Sequence, residues 1–223
     1  DLINIQKKAE ENNIKLELGT RGIEPDFLKK YLQIAKLLRA NLLRVLLDSS
    51  FSSPTTYQVI AWIQEILPEC REKEVYIAIE NHDQRTTKEL KEIVETIDDP
   101  MVGICLDTVN SLGALECPHE VVENLAPYVL NIHLKDFEIM RLPHQQGFIV
   151  EGRPLGRGKL DAGWVIETVK NFGKDPNLIL ELWVPLCETI DKTIEKEEEW
   201  AYASVEYARS LLSFVDGRRT SLL

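Results

Sequence analysis

Residues 75–82 have the sequence VYIAIENH, a short apolar run that ends on a carboxylate, Glu80. Three later apolar runs repeat this arrangement: VGICL is followed by Asp107, VLNIHL contains His133, and LILEL contains Glu181. Short, β-branched and nearly continuous apolar runs are typical of strands that are covered on both faces, as in a parallel sheet. We therefore predict parallel strands whose carboxyl ends carry metal-ligating or catalytic groups.

Helices and strands are predicted to alternate along the chain, as in a parallel sheet with crossover helices. The predicted strands lie near residues 14–19, 42–48, 75–80, 101–107, 129–135 and 178–183, and the predicted helices near 2–12, 24–40, 54–72, 86–97, 118–127, 161–173 and 196–215. A complete (β/α)₈ barrel has eight strands and about 250 residues. The six strands therefore indicate a single TIM-barrel domain over residues 1–223 that is N-terminally incomplete, with the first one or two βα units missing.

The composition disfavours several classes of protein. A chain of 223 residues that is 44% hydrophobic and 28% charged can bury one sizeable core. Its formal charge of −11 would repel phosphate backbones, so we expect no nucleic-acid partner. No apolar stretch approaches the roughly 20 residues of a membrane span, and the N-terminal segment is too charged for a signal peptide. The four scattered cysteines predict reduced thiols, and we expect a cytoplasmic protein with a small substrate.

The four polar strand ends predict a metal site. In a parallel barrel the catalytic groups come from the C-terminal strand ends, where Glu80, Asp107, His133 and Glu181 lie. Three carboxylates in one cavity would repel one another unless a cation were present. Oxygen-rich ligation with one imidazole suits Mn²⁺, Mg²⁺, Co²⁺ or Fe²⁺. We predict one divalent ion, with Mn²⁺ favoured and Zn²⁺ as a further candidate in an open, non-structural site.

Six stretches of the chain carry a family resemblance: LELGTR, IAIENH, GICLDTVNSLG, NIHLKDF, GFIVEGRPLGRGKLD and LILELW. In this order they resemble the third to eighth strands of the sugar phosphate isomerase/epimerase superfamily, the xylose isomerase-like TIM barrels. The resemblance extends from Ile14 to the C-terminal helix. It implies that Glu80, Asp107, His133 and Glu181 bind the metal and that an enediolate forms on a small sugar, keto-sugar or sugar phosphate.

The expected chemistry is proton abstraction next to a carbonyl, with the metal taking up charge on the sugar oxygens. Glu80 and Glu181 are the predicted catalytic bases. If they lie on opposite faces of the substrate carbon, one can remove a proton and the other return it, which gives epimerisation. Return of the proton to the neighbouring carbon gives isomerisation.

The chain departs from better-known family members at two positions. Many relatives carry a His three residues after the metal-binding Asp, where this chain has Asn110. Enzymes that use a hydride shift carry a Lys two residues after the first metal-binding Glu, where this chain has His82. Proton transfer is therefore favoured over hydride shift.

Substrate contacts are predicted from the loops that follow the strands. The segment from Phe137 to Leu160 shows no clear regular structure, and a loop this long in a compact domain is usually functional. The predicted substrate-binding residues are His82, Asn110, Lys135, His144, Arg153 and Trp183.

Three alternatives to an isomerase or epimerase remain at this point. A dehydratase or lyase would begin with the same enolate and differ only in the leaving group. A DNA-repair endonuclease of the same fold is disfavoured, because this chain has only four histidines and a strongly negative charge. A non-catalytic barrel could serve as an interaction module, and a homodimer is a further expectation.

Overall fold

The structure is a computed structural model that describes residues 1–220. Along the chain its elements are α1 (Leu2–Glu11), β1 (Leu18–Arg21), α2 (Pro25–Leu38), β2 (Leu42–Leu46), α3 (Thr56–Lys73), β3 (Tyr76–Glu80), α4 (Thr87–Ile97), β4 (Val102–Asp107), α5 (Pro118–Leu125), β5 (Val129–Leu134), β6 (Asp136–Arg141), β7 (Phe148–Arg153), α6 (Ala162–Asn171), β8 (Asn177–Leu180) and α7 (Ile190–Thr220). Two 3₁₀ helices cover Asn110–Ala114 and Ala126–Tyr128.

Six of the strands form one parallel sheet in the order β1-β2-β3-β4-β5-β8. The predicted parallel (β/α) barrel architecture is confirmed, although the first strand begins at Leu18 and not near residue 14. The Glu17 side chain joins the two ends of this sheet. It accepts hydrogen bonds from Asn131 Nδ2 (2.9 Å) and from Asn177 Nδ2 (2.7 Å), so that β1, β5 and β8 meet in a curled sheet.

Side chains along each strand point alternately to two different environments. One face packs against the helices and contributes the large buried core, including Leu43, Val45, Ile77 and Ile104. The other face lines the inside of the curled sheet, where Leu42, Ala78 and Cys105 form a small separate apolar cluster. Because side chains two residues apart on a strand share a face, the polar residues that follow this inner cluster extend above it toward the C-terminal strand ends.

The prediction that residues 137–160 lack regular structure is wrong. Strands β6 and β7 pair in an antiparallel hairpin, with Asp136 opposite Arg153 and Arg141 opposite Phe148. The turn between them is compatible with Gly147, whose φ of 107° favours glycine. Both segments, FEIMR and the facing FIVEGR, contain the β-branched and aromatic residues that favour strands.

The long helix α7 begins at Ile190, earlier than predicted. Its Trp200, Ser204 and Val215 side chains are buried, whereas Ala201 and Val205 are exposed. Ser204 Oγ accepts a hydrogen bond from the Leu155 backbone N–H (3.0 Å), which ties α7 to the segment after the hairpin. Among residues 1–220, no helix combines the length and the apolar character that crossing a membrane requires.

A buried ion pair connects the loops that follow β2 and β3. Arg85 donates from Nε to Asp48 Oδ2 (2.8 Å), from Nη2 to Asp48 Oδ1 (2.9 Å) and from Nη2 to the Pro54 carbonyl (2.6 Å). Both side chains are about nine-tenths buried. Burial alone would raise the pKa of Asp48, but Arg85 and Ser53 outweigh it, and the pKa is lowered.

We expect Asp48→Asn to lower the free energy of unfolding by about 3 kcal/mol at neutral pH, because it leaves the buried Arg85 guanidinium without its counter-charge. A lowered carboxyl pKa stabilises the fold above the usual pKa of an aspartate, and this contribution is lost as the pH falls through the folded-state value. The difference between wild type and variant should therefore shrink in acid. Urea unfolding at a series of pH values measures it.

The matched control is Asp26→Asn, since the Asp26 side chain is 99% exposed. We expect this change to alter stability by no more than about 0.5 kcal/mol. Equal stability of the two variants would show that the Asp48–Arg85 pair does not stabilise the fold.

Candidate metal centre and substrate cavity

A cavity of about 640 Å³ opens at the C-terminal ends of the parallel strands. Its lining includes many of the polar residues that the sequence singled out, and they come from different strands and from the loops that follow them. Among the lining residues are Arg21, Arg44, Glu80, His82, Asn110, Lys135, Glu181 and Trp183.

The four predicted metal ligands meet beside this cavity, and two of them, Glu80 and Glu181, line its wall. One ligand atom each from Glu80, Asp107, His133 and Glu181 lies within 4.8 Å of the others. Glu80 and Asp107 are the last residues of β3 and β4, His133 lies in β5, and Glu181 follows β8 directly. The Glu181 backbone N–H still donates to the Leu134 carbonyl (3.2 Å), which holds this residue in register with β5. Their role as ligands stays a prediction.

The donor atoms of this cluster fit a divalent cation. Glu80 Oε2, Asp107 Oδ2, His133 Nδ1 and Glu181 Oε2 are buried, and none has a hydrogen-bond partner among the described residues. The three carboxylate oxygens do lie near nitrogen atoms, but without hydrogen-bond alignment: Glu80 Oε2 is 3.0 Å from Arg44 Nε, Asp107 Oδ2 is 2.8 Å from Lys135 Nζ, and Glu181 Oε2 is 2.9 Å from His133 Nδ1. Buried polar atoms in this state are costly. Three carboxylate oxygens and one imidazole nitrogen match the preference of Mn²⁺ or Mg²⁺ for oxygen while accommodating one nitrogen.

The two predicted bases have different electrostatic surroundings. Burial raises the pKa of Glu80, although the Arg44 guanidinium, with Nε 3.0 Å from Glu80 Oε2, opposes this effect. At Glu181 the adjacent His133 ring lowers the pKa to about 2, against the effect of burial and with help from Lys135. Without a metal, therefore, Glu181 holds its negative charge more firmly than Glu80 does.

Lys135 lies between the ligand cluster and the open cavity. Its side chain is almost fully buried, and Nζ is 2.8 Å from Asp107 Oδ2 and 3.3 Å from Glu181 Oε2. The same ammonium lies 4.9 Å from the centre of the Trp183 ring, which is partly exposed in the cavity. A cation is thus fixed beside the position where a substrate oxygen would approach the cluster.

Asn110 and the backbone around it orient two of the carboxylates. Asn110 Nδ2 donates to Glu80 Oε1 (2.9 Å), and its Oδ1 accepts from Lys135 Nζ (3.1 Å). The backbone N–H groups of Val109 and Asn110 donate to Asp107 Oδ1 (2.9 and 2.8 Å), which leaves Oδ2 for the cluster. Both polar ends of the Asn110 side chain are therefore engaged by protein, although the residue lines the cavity.

Two predicted substrate contacts lie elsewhere. His144 is exposed at the turn of the β6–β7 hairpin, and Arg153 donates to Glu151 Oε2 (2.8 Å) and to the Gly152 carbonyl. Neither residue lines the cavity, because the segment forms a hairpin and contributes only Val150 to the wall. His82 and Trp183 do line the cavity, and His82 Nδ1 is paired with Asp83.

Asp136 organises the glycine-rich segment after the hairpin. Its carboxylate accepts hydrogen bonds from the backbone N–H groups of Gly156 (2.8 Å), Gly158 (2.9 Å) and Leu160 (3.0 Å). A Cβ atom at Gly158 would lie 2.2 Å from Asp136 Oδ1, so this close approach requires glycine. The GRPLGRGKL segment is thereby explained as a turn wrapped around one carboxylate.

The sequence analysis missed Arg44, the cavity residue that pairs with Glu80. It lies in β2 within the run LLRVLL, where it is the one charged side chain. A charge inside an otherwise apolar strand, two residues from Leu42 of the inner face, was the signal available in the sequence.

Comparisons with known proteins agree with this architecture. Residues 20–211 match the family model described as the xylose isomerase-like TIM barrel. The chain is 35% identical over 207 residues to a 3-oxo-isoapionate decarboxylase from Pectobacterium atrosepticum, and the match covers 93% of this chain and 75% of that protein.

Solved structures share the fold at low sequence identity. The structure of an L-ribulose 3-epimerase matches with a TM-score of 0.70 and 13% identity, covering 100% of this chain and 82% of the other. The structure of an IOLI protein with a bound zinc atom also has a TM-score of 0.70, with 16% identity, and covers 96% of this chain and 82% of the other.

We expect Mn²⁺ to raise the melting temperature of protein stripped of metal, since a ligand that binds only the folded state stabilises it, by about 2.7 kcal/mol at one hundred times its Kd. Glu181→Gln should weaken Mn²⁺ binding by about tenfold or more, because loss of a residue that only orients a metal ligand already costs about tenfold in affinity. Differential scanning calorimetry and titration of free Mn²⁺ by electron paramagnetic resonance measure the two effects.

Asp83→Asn is the control, because Asp83 lines the same cavity but lies outside the four-residue cluster. It should keep the affinity of the wild type. An equal loss in both variants would mean that Mn²⁺ responds to the charge of the cavity and not to the cluster.

Proposed function

Since the chain belongs to the xylose isomerase-like TIM-barrel family, we propose that it is a metal-dependent lyase that decarboxylates a small 3-oxo sugar acid. The observation that carries this proposal is the 35% identity to a 3-oxo-isoapionate decarboxylase along 93% of the chain. The epimerase structures share the fold at much lower identity and therefore support the architecture alone. We also expect a cytoplasmic location, and a homodimer stays a prediction.

The chemistry of a 3-oxo acid suits a site that stabilises an enolate. The bond between C1 and C2 breaks, C1 leaves as CO₂, and the bonding electron pair moves into the C3 oxo group to give an enolate. C2 then takes up a proton, and the oxo group forms again. The site therefore has to stabilise negative charge on an oxygen and supply one proton.

Glu80, Asp107, His133 and Glu181 would hold the divalent ion, with Mn²⁺ favoured. When bound, such an ion supplies a Lewis acid for negative charge that develops on substrate oxygens. The backbone amides at Val109 and Asn110 and the Asn110 side chain keep Asp107 and Glu80 in position for this role.

Lys135 is the group that we expect to act on the substrate from the protein side. Its ammonium lies 3.3 Å from Glu181 and faces the cavity beside the Trp183 ring. From there it can donate a hydrogen bond to the oxygen that becomes the enolate, and it can return a proton to the carbon that loses CO₂. Trp183 offers an apolar surface against which a sugar chain can pack.

A second candidate is the epimerase or isomerase that the sequence resemblance implied. The observation in its favour is the presence of two carboxylates, Glu80 and Glu181, in one cluster. One carboxylate could remove a proton next to the carbonyl and the other could return it. Both reactions pass through the same type of enolate. They differ in the group that leaves the neighbouring carbon, which is CO₂ in the decarboxylase and a proton in the epimerase or isomerase.

The proposal is tested with Mn²⁺-loaded protein and a panel of four- to six-carbon 3-oxo sugar acids in D₂O. We expect release of CO₂ in step with incorporation of one deuterium at C2, and loss of both on removal of the metal. Lys135→Met should lower kcat by about 10²- to 10³-fold, within the usual range for a general acid. Coupled CO₂ detection and NMR measure the two events.

His144→Ala is the control, because its side chain is exposed at the hairpin turn outside the cavity. It should leave kcat and KM unchanged. Deuterium exchange into neutral keto-sugars without CO₂ release from any acid would overturn the decarboxylase and support the epimerase.

A further inference from the structure

The side of the cavity formed by β1 and β2 carries positive charge. Arg44 on β2 is next to Gly19 of β1 in the sheet register, and Arg21 lies two residues after Gly19 on the same face. Both arginines line the cavity. The metal-ligand candidates come from β3, β4, β5 and the end of β8, so that the mouth is divided into a cationic side and a ligand side.

The Arg44 guanidinium is only partly used by the protein. Its Nε lies 3.0 Å from Glu80 Oε2, while among the described side chains and backbone groups none accepts a hydrogen bond from its two terminal nitrogens. The side chain is 27% exposed, and that exposure is toward the cavity it lines. An arginine held in this way presents a two-donor edge, the geometry that binds a carboxylate.

Gly19 makes room for this arrangement. A Cβ atom at position 19 would lie 3.2 Å from Arg44 Cζ and 3.3 Å from Nε and Nη2. The guanidinium therefore lies flat over the glycine, and a larger residue there would push it aside. Asp83, an acidic cavity residue outside the ligand cluster, is paired with His82, and no ion pair joins it to Arg44 among the described residues.

We propose that Arg44, assisted by Arg21, binds the carboxylate of an acidic sugar substrate. This inference rests on the proposed function, because a 3-oxo acid carries its carboxylate one carbon away from the oxo group. A substrate whose oxo oxygen reaches the ligand cluster thus has its carboxylate within reach of a guanidinium that already contacts Glu80. Binding at two points orients the bond between C1 and C2 for cleavage.

The test uses a stable pair of probes, 3,4-dihydroxybutanoate and its neutral amide, with the full chain at saturating Mn²⁺. For each variant we take the ratio of the Kd of the amide to the Kd of the acid. A change in the folded fraction or in metal content affects both constants alike and cancels in this ratio. We expect the wild type to prefer the acid at least about tenfold, which is what a hydrogen bond to a charged group contributes. Isothermal titration calorimetry gives both constants.

Arg44→Gln should bring the ratio close to one, chiefly through weaker binding of the acid. Gly19→Ala should reduce the preference without removing any charge, and Arg44→Lys should retain part of it. Arg71→Gln, at a surface arginine paired with Asp99, should keep the full ratio. An unchanged ratio in Arg44→Gln would overturn the inference, and so would equal binding of the acid and the amide by the wild type. If Arg44→Gln does not fold, the same ratio measured in Gly19→Ala and Arg44→Lys is the test, and an unchanged ratio in both would overturn the inference.

The outcome is separable from that of the decarboxylase proposal. Loss of the acid preference in Arg44→Gln, with no CO₂ released from any 3-oxo acid by the wild type, would support the carboxylate subsite and refute the decarboxylation. Metal-dependent CO₂ release together with an unchanged ratio in Arg44→Gln would refute the subsite alone.

Discussion

The constraint on which this structure depends is the gathering of three carboxylates and one imidazole in a small, largely buried space. Glu80, Asp107 and His133 are buried, Glu181 is partly buried, and each contributes an atom without a hydrogen-bond partner in the described part of the chain. Such a cluster destabilises the fold unless positive charge compensates it. Lys135 and Arg44 supply part of that charge at the same carboxylate oxygens, and a divalent ion would supply more.

The parallel sheet makes this gathering possible, because neighbouring parallel strands end at the same edge. Each strand brings one functional residue to its carboxyl end, while the apolar residues before it pack on the helices. The loops then fix the carboxylates: backbone amides after β4 hold Asp107, and Asn110 holds Glu80. The same scaffold would suit either proton transfer or decarboxylation, because both reactions require an enolate oxygen to be stabilised and differ in what leaves the neighbouring carbon.

Much of this arrangement follows from local sequence. Apolar strands that end in Glu, Asp or His predict both the sheet and the cluster, because parallel strand ends share one edge. The β6–β7 hairpin was missed because its two strands do not share a regular alternation of apolar and polar residues. His144 and Arg153 were placed at the mouth only because a loop was expected there. Arg44 was missed because its neighbours in the sheet, Gly19 and Ala78, are set by a register that one sequence does not display.

A crystal structure of the Mn²⁺-soaked protein, with diffraction data at the manganese absorption edge, tests the four-residue metal site most directly. We expect one anomalous peak, within coordination distance of Glu80, Asp107, His133 and Glu181 together. Absence of a peak at that position, or a manganese ion bound only elsewhere on the surface, would contradict it.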